Sequence, residues 1–354
     1  GFPDRVGDVY FRAIFTAVFI LFVVKMLWGI LLFIDDFIRG FQWLISLFSS
    51  PEAESIDGIS RKNFLVKTGA LLGAGMGAAL TYGVTVGSHH YKVTRQKLKV
   101  RGYSKDLNGF RIVQISDIHS GSFWNKRAVQ KGIDLIKDQK ADVVFFTGDM
   151  VNNESKEFEP YEAMFKEIQA PKGVYAILGN HDYADYMPNL TQEERHQNVI
   201  DLENAYKRMG WKLLRNENKE IHVGSDSLNV IGIDNWSAIM RFPKYGDLYK
   251  AMEGVDRSKL NLLLSHDPTH WKGQVLKEFK DIDVTFSGHT HGMQFGIETA
   301  GFKWSPVQYI YDQWAGLYED GDQKLYVNRG FGYLGYPGRL GIRPEITVFE
   351  IEVV

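Results

Sequence analysis

Two regimes of apolar patterning divide the chain. From Ala13 to Ile34, "AIFTAVFILFVVKMLWGILLFI", nearly every position is apolar on every face. A helix of that length rises about 33 Å, enough for a hydrocarbon core, and predicts a membrane-spanning segment. Lys25 interrupts it and would have to snorkel or face another helix. A second apolar stretch, Ser60 to Gly87, carries Gly69, Gly73 and Gly77 at four-residue intervals. Such a stripe lets membrane helices approach closely and offers a face to a partner membrane protein. Between the two, "DDFIRGFQWLISLF" mixes charge with Trp43 and Phe48 and reads as an amphipathic piece lying in the interface. Arg39, Arg61 and Lys62 flank the segments on one side and favour it as cytoplasmic, which puts the region after Gly87 outside the cytoplasm. The basic cluster Lys92, Arg95, Lys97, Lys99 and Arg101 points the other way. Gly1 in place of a methionine reads as a fragment or a processed chain.

After about Tyr91 short apolar runs alternate with longer polar stretches of helical composition. "FRIVQIS" (Phe110 to Ser116), "DVVFFTG" (Asp142 to Gly148), "GVYAILG" (Gly173 to Gly179), "LNLLLS" (Leu260 to Ser265) and "DVTFSG" (Asp283 to Gly288) read as buried strands. Lys126 to Lys140 and Gln192 to Met209 read as helices, and "PEITVFEIEV" as a closing strand. The expectation is a membrane region over 1–90, followed by an α/β domain over 91–354 with helices on its sheet faces.

Composition narrows the chemistry. A formal net charge of -2 gives no reason to expect nucleic acid as a partner. With no cysteine, thiolate metal sites are excluded, so any metal is held by His, Asp, Asn or Glu. The residues after each strand are of that kind. They are Asp117 and His119; Asp149; Asn180, His181 and Asp182; His266; and His289 with His291. A lone Asp after a strand is usually a turn former. Five strands delivering ligand-type residues past their carboxyl ends, the edge where open α/β sheets build sites, point to a cage. Its donors Asp117, His119, Asp149, Asn180, His266, His289 and His291 exceed what a tetrahedral zinc takes. They suit two divalent ions such as Mn, Fe or Zn sharing a bridging carboxylate, a pair that clamps an in-line displacement at phosphorus.

The order "DxH…GD…GNHD…H…GHxH" from Asp117 to His291 resembles the calcineurin-like metallophosphoesterase superfamily. "GHTHGMQFG" and "VNRGFGYLGYPGRLGIRPEITVFEI" are similar to its membrane-associated bacterial YkuE/YaeI-like branch. The resemblance implies a four-layer αββα sandwich preceded by transmembrane helices. It implies that Asp117, His119 and His291 hold one ion, that Asn180, His266 and His289 hold the other, and that Asp149 bridges. His181 would act on the substrate as a catalytic residue, with Asp182 setting its tautomer. The activity implied is hydrolysis of a phosphodiester, phosphomonoester or pyrophosphate bond by a hydroxide held between the metals. The substrate would be phosphorylated or lipid-linked, of the membrane or cell envelope. The alternative is a catalytically silent subunit of a membrane complex.

Other residues carry weaker signals. Arg329 could bind substrate phosphate through its forked guanidinium, with Arg339 and Arg343 as weaker candidates. Asn152 and Asn153 could hydrogen-bond within the cage or serve the loop, and His270 suits a surface or supporting role. "NWSAIMRFPKYGDLYK" could wall the cleft. The aromatic insert with Trp304, Tyr309, Tyr311 and Trp314 reads as a hairpin packed on the sandwich or as a membrane-interface element.

Overall fold

A computed structural model describes residues 5–48 and 58–354. The chain forms two compact units, Gly1–Thr85 and Val86–Val354.

The first unit is a pair of helices, α1 (Arg5–Ser46) and α2 (Gly58–Thr85). α1 runs on through Asp35 and Asp36, so the stretch read as an interfacial piece continues the first apolar segment as the C-terminal end of one 42-residue helix. Gly29 and Gly40 are isolated glycines within it, and no proline interrupts the ladder. Ala13–Ser46 and Asn63–His89 are long and apolar enough to cross a membrane. Lys25 lies on an exposed face of α1. The glycine stripe of α2 is met inside the chain. A Cβ on Gly69 would fall 2.6 Å from Trp28 Nε1, and one on Gly73 would fall 3.0 Å from Val24 Cγ1. The face that the sequence offers to a partner protein is therefore filled by α1. Gly1 and the side chains of Arg61 and Lys62 lie outside the described residues.

The second unit stacks two six-stranded sheets. The first has the order β1 (Lys92–Val100), β14 (Glu345–Val353), β2 (Arg111–Ile115), β3 (Val143–Phe146), β4 (Val174–Ala176), β5 (Lys212–Leu213). The second has the order β12 (Gly316–Asp320), β13 (Gln323–Val327), β9 (Val284–Ser287), β8 (Leu260–Leu264), β7 (Asp226–Gly232), β6 (Glu217–Val223). β10 (Ile297–Glu298) and β11 (Lys303–Trp304) form a separate antiparallel pair.

Strand alternation explains the layering, because successive side chains point to opposite faces. In β3, Val143 and Phe145 enter the core between the sheets, where Leu262, Leu264 and Phe286 of the second sheet meet them. Val144 and Phe146 enter an outer core. That outer core is closed by Val129, Ile133 and Ile136 of α3 (Lys126–Lys137), by Phe165 of the short α4 (Glu162–Phe165), and by Val199, Leu202 and Tyr206 of α5 (Gln192–Met209). Thr191 and Glu194 form a reciprocal cap at the start of α5, and Gly210 ends it at φ 77°. On the far side, Leu248 and Ala251 of α6 (Leu248–Ala251), with Trp271, Val275 and Phe279 around α7 (Leu276–Glu278), cover the second sheet. The four layers are thus helix, sheet, sheet, helix. β2, β3 and β4 run parallel, as do β7, β8, β9 and β13, so two sets of carboxyl ends can build one site.

Candidate metal centre and its cleft

The turns that follow β2, β3, β4, β8 and β9 are tied to one another beyond the ends of the strands. The Asp117 N–H donates to Gly148 O (2.9 Å), His119 N–H to Asp149 O (3.1 Å), and Gly288 N–H to His266 O (2.9 Å). Asp117, His119, Asp149, His289 and His291 all lie in the left-handed region, with φ from 47° to 72°. That region costs a non-glycine residue about 1–2 kcal/mol, and such strain concentrates at functional sites. Gly148, at φ 94°, brings its backbone against Gly179, and any Cβ there would stand 2.6 Å from the Gly179 nitrogen.

All seven expected ligands converge. The donor atoms of Asp117, His119 and His291 lie within 4.8 Å of one another, as do those of Asp149, His266 and His289. Asp149 Oδ2 stands between the two groups, 3.4 Å from His119 Nε2 and 3.1 Å from His266 Nε2. Its other oxygen accepts the His181 N–H at 2.9 Å. Asn180 Oδ1 joins the second group 2.7 Å from His289 Nδ1, which is itself 3.3 Å from His266 Nε2. Asp117 completes the first group, 3.3 Å from His291 Nε2, and accepts the His289 N–H.

The donor set fits divalent cations. His119 Nδ1 is buried without a hydrogen-bond partner among the described residues, and Nε2 of His119 and of His291 are buried with only a carboxylate at 3.4 and 3.3 Å beside them. Burying such groups unpaired is costly, and a cation resolves it. His266 donates its Nδ1–H to Thr147 O at 2.7 Å, which fixes the tautomer and turns Nε2 toward Asp149. Burial opposes charge on His266, but the Asp149 carboxylate overcomes it and lifts the imidazole to about 10.

His181 lies at the rim, its ring 4.9 Å from that of His119 and 4.7 Å from Tyr186. Burial pulls it down to about 4, against the Asp149 charge. Its Nδ1–H donates to Asn152 O at 2.7 Å, so a main-chain carbonyl sets the tautomer. Asp182 does not. It is fully buried and accepts the N–H groups of Gly179 (2.8 Å), Asp149 (2.9 Å), Met150 (2.8 Å) and Val151 (3.3 Å). Its work is to shape the turns that carry Asp149 and Asn180. The sequence expectation for Asp182 is corrected accordingly.

Arg329 is likewise reassigned. It is buried and locked to Glu345 (2.8 Å) and to both oxygens of Glu298 (3.1 and 3.0 Å), leaving no fork for a phosphate. Arg339 is buried against the carbonyls of Gly332 (2.6 Å) and Arg329 (2.7 Å), and Arg343 binds the carbonyls of His90 and Tyr91. Asn152 also reaches Ser122 at 2.9 Å, while the Asn153 N–H meets Glu157. His270 is a buried core residue between Ser265 (2.9 Å) and Gln274 (3.0 Å). Of the aromatic insert, Tyr311 and Trp314 are buried with Val307 and Ile342, while Tyr309 stays exposed.

Three further side chains touch the cage. Tyr311 Oη lies 2.8 Å from His289 Nε2, Tyr186 Oη accepts from Asn180 Nδ2 at 2.8 Å, and Phe242 meets the His289 ring edge-on at 4.7 Å. Phe242 belongs to the stretch expected to wall the cleft.

A two-sheet sandwich with two adjoining His/Asp groups at one edge has the donor set of a two-metal centre. Residues 110–293 match the family model described as calcineurin-like phosphoesterase, and residues 3–88 match one described as probable calcineurin-like phosphoesterase, transmembrane domain. The chain belongs to the calcineurin-like phosphoesterase family and carries that family's transmembrane domain. It is 30% identical over 271 residues to a Danio rerio protein called transmembrane protein with metallophosphoesterase domain, covering 75% of this chain and 58% of that one. A Bos taurus protein of the same name is 29% identical over 260 residues, covering 72% of this chain and 56% of its own length. The metallophosphoesterase YkuE of Bacillus subtilis (strain 168) is 27% identical over 308 residues, covering 83% of this chain and 98% of its own. The chain thus spans 58% and 56% of the two vertebrate relatives.

Proposed function

We propose that this protein is a membrane-anchored di-metal phosphoesterase that hydrolyses a phosphodiester, phosphomonoester or pyrophosphate bond. The observation that carries the reading is Asp149 Oδ2, poised within 3.4 Å of a histidine from each of the two ligand groups. Asp117, His119 and His291 would hold one divalent cation, and Asn180, His266 and His289 the other, with Asp149 shared. Bound there, Mn, Fe or Zn would acidify water near neutral pH and draw charge from the phosphoryl oxygens.

The chain's own groups supply the rest. His181 donates Nδ1–H to Asn152 O, which leaves Nε2 as the nitrogen that takes up or gives a proton at the phosphoryl or leaving-group oxygen. Asp182 holds the turns of Asp149 and Asn180 in register. Tyr311 and Asp267, whose Oδ2 lies 3.6 Å from His289 Nε2, orient His289 from behind.

The substrate we favour is phosphorylated or lipid-linked and reaches the cage from a membrane, with no nucleic acid involved. The favoured site is the cytoplasmic membrane of a bacterium with the catalytic unit outside the cytoplasm, since Arg39, Arg61 and Lys62 fall on one side of the apolar segments. Any partner membrane protein would meet the exposed faces of α1 instead of the glycine stripe.

The test uses the full chain in detergent with added Mn²⁺ and bis(4-nitrophenyl) phosphate. Wild type cleaves it, and His181→Ala and Asp149→Ala do not. Undiminished turnover by Asp149→Ala overturns the reading.

A further inference from the structure

The segment over residues 233–247, between β7 and α6, is braced across the cage opening. Asn235 donates its N–H to Tyr183 Oη (3.0 Å) and its side-chain amide to Pro243 O (2.8 Å). Tyr245 Oη donates to Asp185 at 2.9 Å. Phe242 is thereby set against His289, and the Arg241 guanidinium lies 4.9 Å from the centre of the Phe242 ring. Arg241 is exposed and has no ion pair among the described residues. With Phe242 against His289 and its own guanidinium over the Phe242 ring, Arg241 stands beside the cage. The arginines that the sequence nominated for phosphate are all committed to internal carboxylates or carbonyls.

The same rim is oily. Met240, next to Arg241, is 97% exposed. Ile239 packs on the cluster of Val307, Tyr311 and Trp314, which brings this tip beside Tyr309 and Ile310, 77% and 60% exposed. Met240, exposed next to an unpaired guanidinium, and Ile310, exposed beside the cluster that Ile239 joins, complement a ligand that is anionic at one end and apolar at the other.

We infer that Arg241 grips the substrate phosphate while Met240 and Ile310 receive a long apolar chain attached to it, so that the site selects phosphoesters of amphiphiles. The inference rests on the phosphoesterase reading above.

The test compares 4-nitrophenyl alkyl phosphodiesters bearing butyl, octyl and dodecyl chains, with the Mn²⁺-loaded full chain in lipid nanodiscs. For wild type, KM falls about tenfold from butyl to octyl, a modest share of what burying the added methylenes allows. In Met240→Ser/Ile310→Ser that dependence on chain length disappears. Arg241→Ala raises KM across the series about 10–100-fold, the loss expected for a charge-assisted contact, with kcat changed far less. Arg241→Lys recovers part of it.

A wild-type KM independent of chain length, or an unchanged KM in Arg241→Ala, overturns the inference while the phosphodiester cleavage itself stands. If no member is cleaved, the phosphodiester branch of the phosphoesterase reading fails. Calorimetric binding of dodecyl phosphate to the same variants then decides the recognition claim, and equal affinity in wild type and Arg241→Ala refutes it.

Discussion

Replacing Asp182 with alanine separates two roles that neighbouring residues in one motif could play. In the structure its carboxylate accepts the N–H groups of Gly179, Met150 and Asp149 at 2.8–2.9 Å, with Val151 at 3.3 Å. Removing it strands buried donors, each costing about 1–3 kcal/mol, so three short bonds amount to about 3–6 kcal/mol after partial relaxation. A domain of ordinary stability has about 5–15 kcal/mol in total, so Asp182→Ala brings the catalytic unit close to unfolding. Because the stranded donors include the N–H of Asp149 itself, divalent-metal affinity falls with stability. The assay is urea unfolding of the detergent-solubilised chain, with metal titration and kcat/KM measured at a temperature where both proteins remain folded. A variant within about 0.5 kcal/mol of wild type, with normal metal affinity but a depressed kcat and a displaced pH profile, would refute this. Asp182 would then act on His181.

Four further outcomes follow from the same coordinates. Gly148→Ala adds a Cβ at φ 94° and 2.6 Å from the Gly179 nitrogen, which strain and overpacking together put at about 2–5 kcal/mol; thermal unfolding reads it, and metal affinity drops alongside. Arg329→Ala strands the buried Glu345 carboxylate and destabilises by about 3–5 kcal/mol, yet leaves KM of the surviving folded enzyme near wild type, in contrast to a phosphate-binding arginine. His270 has its pKa lowered by burial from 6.5 to about 4. Its stabilisation is therefore complete above pH 6.5 and is lost as pH falls toward 4, up to about 3 kcal/mol, and His270→Gln flattens that limb of the stability curve. Chelation of divalent metal lowers the midpoint of unfolding and abolishes turnover, and Mn²⁺ restores both.

The cage was legible in the sequence because Asp117, Asp149, Asn180, His266 and His289 each directly follow an apolar run closed by glycine or serine, so strand ends and chemistry share one signal. Asp117, Asp149, Asn180 and His289 could be placed without coordinates for that reason. The division of the strands between two sheets was not legible from periodicity. Val143 to Phe146 are all buried, and a run buried on both faces does not say which neighbour lies on either side. Asp182 misled because adjacency in sequence says nothing of direction: it faces the amides of residues 149–151 while His181 turns to Asn152. Tyr311 and Phe242 lie in segments that the sequence sets apart, an aromatic insert and a candidate cleft wall, but their contact with His289 depends on how two irregular segments pack beside the cage. The end of the first helix was not legible for a simpler reason. Asp35 and Asp36 suggested a boundary, but helical hydrogen bonding continues through acidic residues without penalty sufficient to stop it.

The positive φ angles of Asp117, His119, Asp149, His289 and His291 limit which replacements the protein can accept. Valine, isoleucine or threonine would clash with their own main chain at these points before any question of chemistry arose. Asparagine tolerates the curvature, so the substitutions most readily accommodated there are Asp→Asn and His→Asn. Loss of the donor can thus be sampled while the loop keeps its shape, giving mutants that are folded and silent.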